Sequence, residues 1–256
     1  MTGLLLSPAL HGIDSASFLT VPLHGVEAQI YNDIGNAVID RKLRAGTKLE
    51  ELVLSEIYGV SRTVIRKVLV LMEQDGIISL PLNRGAYVAS PTREEAEQVV
   101  DACSVLYQHF ARKLASHPAS LSPQDVERVE AHLKAEDLAN EEHEEHNARR
   151  LRTEFATVLG FLSGNPILTG AMAKYMVRLI MVISRYQQYA VLSRVALSRT
   201  IWEFIRQGEP DKAAETIQSY GQALVRSLRA GSNEETNDLR AILMAGGTTR
   251  EPPRRK

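Results

Sequence analysis

From residue 59 to residue 69 the chain reads Gly-Val-Ser-Arg-Thr-Val-Ile-Arg-Lys-Val-Leu, and no other stretch limits the fold so tightly. Gly59 suits the left-handed position that ends one helix, and Ser61 is a good N-cap for the next, so two helices meet at a tight turn. From there Ile65, Val68, Leu69 and Met72 recur at i, i+3, i+4 and i+7, which builds one buried stripe. Arg62, Thr63, Arg66 and Lys67 fall on the remaining faces, with Arg62 and Arg66 one turn apart. This is helix-turn-helix geometry. A helix that enters a major groove N-terminus first presents such side chains to guanine O6/N7 edges and to phosphates.

The flanking sequence supplies the rest of such a domain. Val26, Ile30, Ile34, Ala37 and Val38 mark a first amphipathic helix, and a second, short helix is expected over about 50–58. Downstream, residues 76–80 and 86–88 are short β-prone runs joined by Pro81-Leu82-Asn83-Arg84-Gly85, which reads as a hairpin or wing. The expected fold is therefore mainly α, with an N-terminal winged helix-turn-helix over 21–88.

Charge narrows how such a domain binds. The chain carries 30 basic and 31 acidic residues, and between Val21 and Pro91 the balance is again even, eight against eight. Binding to nucleic acid must rest on the local placement of cations, because no general polycationic surface is present.

At these residues the chain resembles the GntR family of bacterial transcription regulators, whose signature is close to G-V-S-R-T-P-V-R-E-A-L followed by an N-R-G wing tip. Here the wing tip is Asn83-Arg84-Gly85. The resemblance implies groove-reading arginines at Arg62 and Arg66, a hydroxyl contact at Thr63 beside the capping Ser61, and a minor-groove tip at Arg84 and Gly85; Lys67, on the same exposed side, joins them as a candidate DNA contact. One departure is plain. Many members carry a further DNA-contacting Arg early in the second helix, where this chain has Leu52.

Beyond the linker 89–92 the pattern is helical throughout, with stretches expected at about 93–117, 123–141, 145–163, 166–188, 191–208 and 210–230. His117-Pro118, Ser163-Gly164-Asn165-Pro166 and Gly208-Glu209-Pro210 punctuate them. An all-α helical-bundle domain over 93–230 follows, flanked by an arm at 1–20 and a tail at 231–256 that are both expected to be mobile.

This half resembles the effector domain of the FadR-type subgroup of the same family. Phe155-Ala156-Thr157-Val158-Leu159-Gly160-Phe161-Leu162-Ser163-Gly164-Asn165 follows the subgroup's F-H-x-x-L-x-x-x-S-G-N, and Trp202 to Glu209 follows its I-x-x-A-I-x-x-G-D. The resemblance implies a dimerising domain that binds a small effector. In many members one Asp and three His hold a divalent metal there. In this chain those positions are Arg152, Ala156, Ser198 and Tyr220, and a guanidinium repels a cation, so no metal or other cofactor is expected. Two further pocket positions carry Ser104 and Gln108, and Arg178 completes the expected lining. An Arg at a former metal site can anchor a carboxylate or phosphate by a charge-assisted hydrogen bond, so an organic anion is the expected effector. The opposing reading pairs Arg152 with a carboxylate such as Glu154 and leaves a filled core.

Other constellations carry less. His143 and His146 share a helix face, but their acidic neighbours favour a hydrated surface over a metal site. The single cysteine, Cys103, reads as a small buried side chain and fits a reducing cytoplasm. No run of about 18 apolar residues is found, so no membrane span is expected, Leu4-Leu5-Leu6 is too short for a signal peptide, and no P-loop, zinc spacing or nucleophile elbow is present. The expectation is a non-enzymatic cytoplasmic repressor, a homodimer on a double-stranded, pseudo-palindromic operator. A constitutive DNA binder whose helical domain only dimerises is the alternative.

Overall fold

A computed structural model of the chain describes residues 6–11, 23–186, 196–228 and 239–245. It divides into two compact units, one holding residues 23–90 and 239–245, the other 6–11, 91–186 and 196–228.

The first unit begins with α1 (Gly25–Ile39), whose Ile30, Tyr31, Ile34 and Val38 are buried. β1 (Lys48–Leu49) and α2 (Glu51–Tyr58) follow. Gly59 ends α2 at φ 65°, a left-handed conformation that costs glycine nothing, so the chain can turn into α3 (Arg62–Gln74) within three residues. Ser61 caps α3 by accepting from the Val64 amide at 3.4 Å, and Ile65, Val68, Leu69 and Met72 form its buried stripe. The Tyr31 hydroxyl donates to Asp75 at 2.6 Å, which ties the far end of α3 to α1. β2 (Ile78–Ser79) and β3 (Ala86–Val88) make the wing, in a three-stranded antiparallel sheet of order β1-β3-β2 with Lys48 opposite Tyr87 and Ile78 opposite Val88.

Part of the expected C-terminal tail is ordered. Residues Leu239–Ala245 form a short helix that packs on α2 and α1 of this unit, with Leu239 and Leu243 buried and Arg240 paired with Glu56. Its apolar spacing is too short to stand out in sequence, and burial against two existing helices supplies what propensity does not. The remainder of the tail lies outside the described residues.

The second unit is a helical bundle of α4 (Arg93–Ser116), α5 (Pro123–Glu141), α6 (Glu145–Leu162), α7 (Pro166–Tyr186), α8 (Leu197–Gln207) and α9 (Pro210–Ser227). Capping boxes start α4 (Thr92 with Glu95) and α5 (Ser122 with Asp125), so Thr92, read as linker, belongs to the first turn's hydrogen bonding. α4 is central and packs against α6, α7, α8 and α9. Phe110, Phe155, Leu159, Trp202 and Ile205 fill the core, each contributing about 1.5–3 kcal/mol on burial. A Cβ on Gly160 would sit 3.0 Å from the Phe110 ring, so glycine is what lets α6 approach α4 so closely.

Residues 6–11, inside the arm expected to be mobile, are also packed. Pro8–Leu10 form a 3-10 turn against α5, with Ser7, Ala9 and Leu10 buried. The Leu6 and Ser7 amides both donate to the Glu154 carboxylate, Ser7 at 2.7 Å, and the Ser7 hydroxyl meets His132 Nδ1 at 2.7 Å. The buried acid on α6 gives the arm a fixed place, a contact without a local sequence signature. α7 is long and apolar enough over Pro166–Ile183 to cross a membrane by length and composition, with Lys174 and Arg178 interrupting the run, yet it packs on α4 and α6 as a core helix.

Candidate DNA interface and effector cavity

The exposed face of α3 is cationic but not unpaired. Arg66 grips Glu51 of α2 with a bidentate fork, Nε to Oε1 at 2.9 Å and Nη2 to Oε2 at 2.8 Å, and Arg62 donates to the same Oε2 at 3.2 Å. Lys67 Nζ sits 2.8 Å from both carboxylate oxygens of Glu27 on α1. The hydrogen bond from Arg66 holds the Glu51 carboxyl below its ordinary range, so the fork persists at neutral pH. Both arginine side chains remain more than 60% exposed, whereas Glu51 is 18% exposed, so the acid lies beneath a guanidinium surface. Water screens such pairs, and a phosphate or guanine edge can displace the carboxylate. Thr63 is exposed beside them, and Arg84 and Gly85 are exposed at the wing tip, where Asn83 and Gly85 take positive φ. Leu52 points outward at 58% exposure from the position where relatives carry Arg. Sequence reasoning placed the cations and missed both acids that hold them, because partners 15 and 40 residues away leave no local pattern.

In the helical unit a cavity of about 60 Å³ opens between α4, α6, α7, α8 and α9. Four of the residues expected there line it: Ser104, Arg152, Ala156 and Tyr220. Three do not. Ser198 is buried close to Glu136 and does not reach the lining. Gln108 is outside the lining that Cys103, Ser104 and Tyr107 contribute from α4, and accepts from Arg112 at 3.4 Å. Arg178 is exposed, two residues past the lining Met176 and so on the opposite side of α7.

Arg152 is not a waiting anion anchor. Its Nε donates to Glu136 Oε1 at 3.1 Å with both side chains buried, Nη2 reaches Asn140 at 3.5 Å, and it also hydrogen-bonds Tyr220. The expected free cation is therefore matched by an acid on α5, a different carboxylate from the Glu154 considered in sequence. Glu154 instead pairs with Arg150 at 3.4 Å and holds the N-terminal arm. Burial pushes the Glu136 carboxyl up and the Arg152 guanidinium partly offsets that, so an ion pair keeps the two groups' net charge near zero. Tyr107 and Tyr220 close the polar end, and burial raises both phenols, so they stay protonated. The Cys103 thiol is pushed up to about 12 by burial and is therefore not a thiolate nucleophile.

The residues at the subgroup's metal positions do not suit a divalent ion. A guanidinium, a methyl, a hydroxyl and a protonated phenol offer no carboxylate or imidazole. Elsewhere, His146 Nδ1 is 2.7 Å from an Arg149 guanidinium nitrogen.

Two family profiles match along the chain: the bacterial regulatory proteins of the gntR family over residues 26–88, and the FCD domain over residues 98–223. The chain belongs to the GntR family. Its N-terminal region is a gntR-type helix-turn-helix domain and its C-terminal region an FCD domain. Among curated relatives it is 27% identical over 71 residues to the HTH-type transcriptional regulator YdhC of Bacillus subtilis, a stretch covering 28% of this chain and 32% of the relative. It is 37% identical over 60 residues to the HTH-type transcriptional regulator MT0049 of Mycobacterium tuberculosis, covering 23% of this chain and 25% of that one. The chain thus spans at most about a third of these relatives' length. Among solved structures, a GntR regulator from Rhodococcus sp. RHA1 superposes with a TM-score of 0.67 at 17% identity, over 78% of this chain and 95% of that one. McbR/YncC of Escherichia coli superposes at 0.61 and 18% identity, over 80% and 98%. At these identities the agreement concerns the fold.

Proposed function

We propose that this GntR family protein is a cytoplasmic, non-enzymatic repressor that binds a pseudo-palindromic operator as a homodimer and is released by a small organic effector without a bound metal. The observation that carries the DNA reading is the pair Arg62 and Arg66, exposed one turn apart on a Ser61-capped helix that follows a Gly59 turn. These two read guanine edges, Thr63 and Lys67 contact the backbone, and Arg84 with Gly85 enters the minor groove. A two-fold dimer supports two such heads on successive major-groove faces, and exposed Ile167 and Tyr175 on α7 offer apolar surface for a partner copy. The effector acts through its different affinity for the DNA-competent and released arrangements.

The test is the double variant Arg62→Ala/Arg66→Ala on a duplex selected from a random library by the unaltered protein, read by fluorescence anisotropy. Each bidentate contact carries about 1–3 kcal/mol of discrimination, so the variant should lose most specific binding and keep its helical fold by circular dichroism. Retention of full affinity by a folded double variant removes the reading. The ion pair that fills the metal positions favours a second reading, a constitutive DNA binder whose helical domain only dimerises; operator affinity unchanged by every ligand that binds the protein would select it.

A further inference from the structure

Three features of the cavity are unexplained by a charged effector. Its guanidinium is already engaged by Glu136, Asn140 and Tyr220. Its remaining walls are mostly apolar, with Met172, Met176, Leu179, Ile183, Ile217 and Leu224 among them and Ser104 and Thr153 the polar exceptions. And the Tyr107 hydroxyl, which belongs to a lining residue of α4, is buried without a hydrogen-bond partner.

A buried phenol with no partner is costly and calls for an occupant that supplies one. An anion entering here would have to displace Glu136 from Arg152 or add a second negative charge near Glu136, and a cation would face Arg152; either carries a desolvation cost that a mostly apolar lining does not repay. An uncharged molecule meets neither obstacle. A cavity of about 60 Å³ holds on the order of four waters, so the guest is small.

We propose that the cavity binds a small neutral molecule with an apolar body and one oxygen acceptor, such as a short amide, ketone or alcohol, whose oxygen accepts from Tyr107 while its chain lies among the α7 and α9 side chains. The proposal rests on the effector-binding reading and names the chemical class of that effector. Arg152, held in place by Glu136, then acts as a fixed polar wall that orients Tyr220 by hydrogen bonding.

The experiment compares matched probes on the full chain in the absence of DNA: straight-chain amides of two or three carbons, the carboxylates and the primary amines of the same lengths, each by thermal shift and calorimetry. At least one amide should raise the melting temperature in a saturable way, and its carboxylate and amine should not. Tyr107→Phe should leave the unliganded protein as stable or more so, because it removes an unpaired hydroxyl, and should abolish the amide shift. Ala156→Leu, which fills the cavity, should abolish it too. Shifts confined to carboxylates or amines, no shift from any probe, or an amide shift that survives Tyr107→Phe would each overturn the proposal. Operator binding by the same samples, measured without ligand, reports on the regulator reading separately, so the two can fail independently.

Discussion

Glu51 is the acid on which the DNA-facing arginines converge, and it sets a competition that the sequence alone does not show. In the structure its carboxylate holds Arg62 and Arg66, and in the proposed DNA complex the same carboxylate would face phosphates that repel it. Glu51→Gln keeps the shape and removes the charge. The expected outcome is tighter binding to scrambled duplex, by roughly three- to tenfold at low salt, with a smaller gain or a loss on the selected operator, so that the specificity ratio narrows. Anisotropy titrations against both duplexes at two salt concentrations check it.

Beneath the N-terminal arm two buried titratable groups oppose each other. Burial raises Glu154 from 4.5 to about 7, outweighing the Leu6 and Ser7 amides and Arg150 that favour its ionised form. Burial lowers His132 from 6.5 to about 4, so at neutral pH it is uncharged and its 3.9 Å approach to Glu136 is no ion pair. A raised folded value stabilises most below pH 4.5 and loses that stability as pH climbs through about 7; a lowered one stabilises above pH 6.5 and loses it as pH falls towards about 4. The Glu136 carboxyl, also raised, acts in the same direction as Glu154. Between pH 5 and 6.5 the slopes therefore cancel in part. His132→Gln should make the melting temperature fall with rising pH, and Glu154→Gln should make it rise, each by on the order of a few °C across that window. Parallel profiles in the two variants would show that the groups are not balanced in this way.

Among the secondary elements, the caps and turns were the most legible part. Gly59 and Ser61 act through local backbone geometry, so their neighbours in sequence suffice to identify them, and the α3 stripe of Ile65, Val68, Leu69 and Met72 is buried as its spacing requires. The helix Leu239–Ala245 shows the reverse case, a weak local pattern stabilised by what it packs on. A chain ending after Leu228 loses the burial of Leu239 and Leu243, together about 3–6 kcal/mol before the entropy of ordering the segment is subtracted. The expected result is faster hydrogen exchange in α2 and a lower melting temperature of the DNA-binding unit, with α4 to α9 unchanged. Mass-resolved exchange on the two chains measures it.

For the whole molecule, any ligand that weakens operator binding must be weakened by operator to the same degree, because the coupling is one free energy seen from two sites. An effector that lowers operator affinity about tenfold should itself bind operator-loaded protein about tenfold less tightly, which calorimetry with and without duplex can check. What the amino-acid order determined unaided was local and periodic: a capped recognition helix, a wing, a run of helices with their breaks, and the absence of metal-ligating side chains at Arg152, Ala156, Ser198 and Tyr220. What only the tertiary structure decided was who meets whom across distance. Glu51 under the arginines, Glu136 against Arg152, Glu154 beneath the Leu6 and Ser7 amides, and an unpartnered Tyr107 all depend on chain segments brought together by packing. Helical spacing encodes which side of an element is buried, whereas the charge and hydrogen-bond balance of a site is settled by neighbours that spacing does not name.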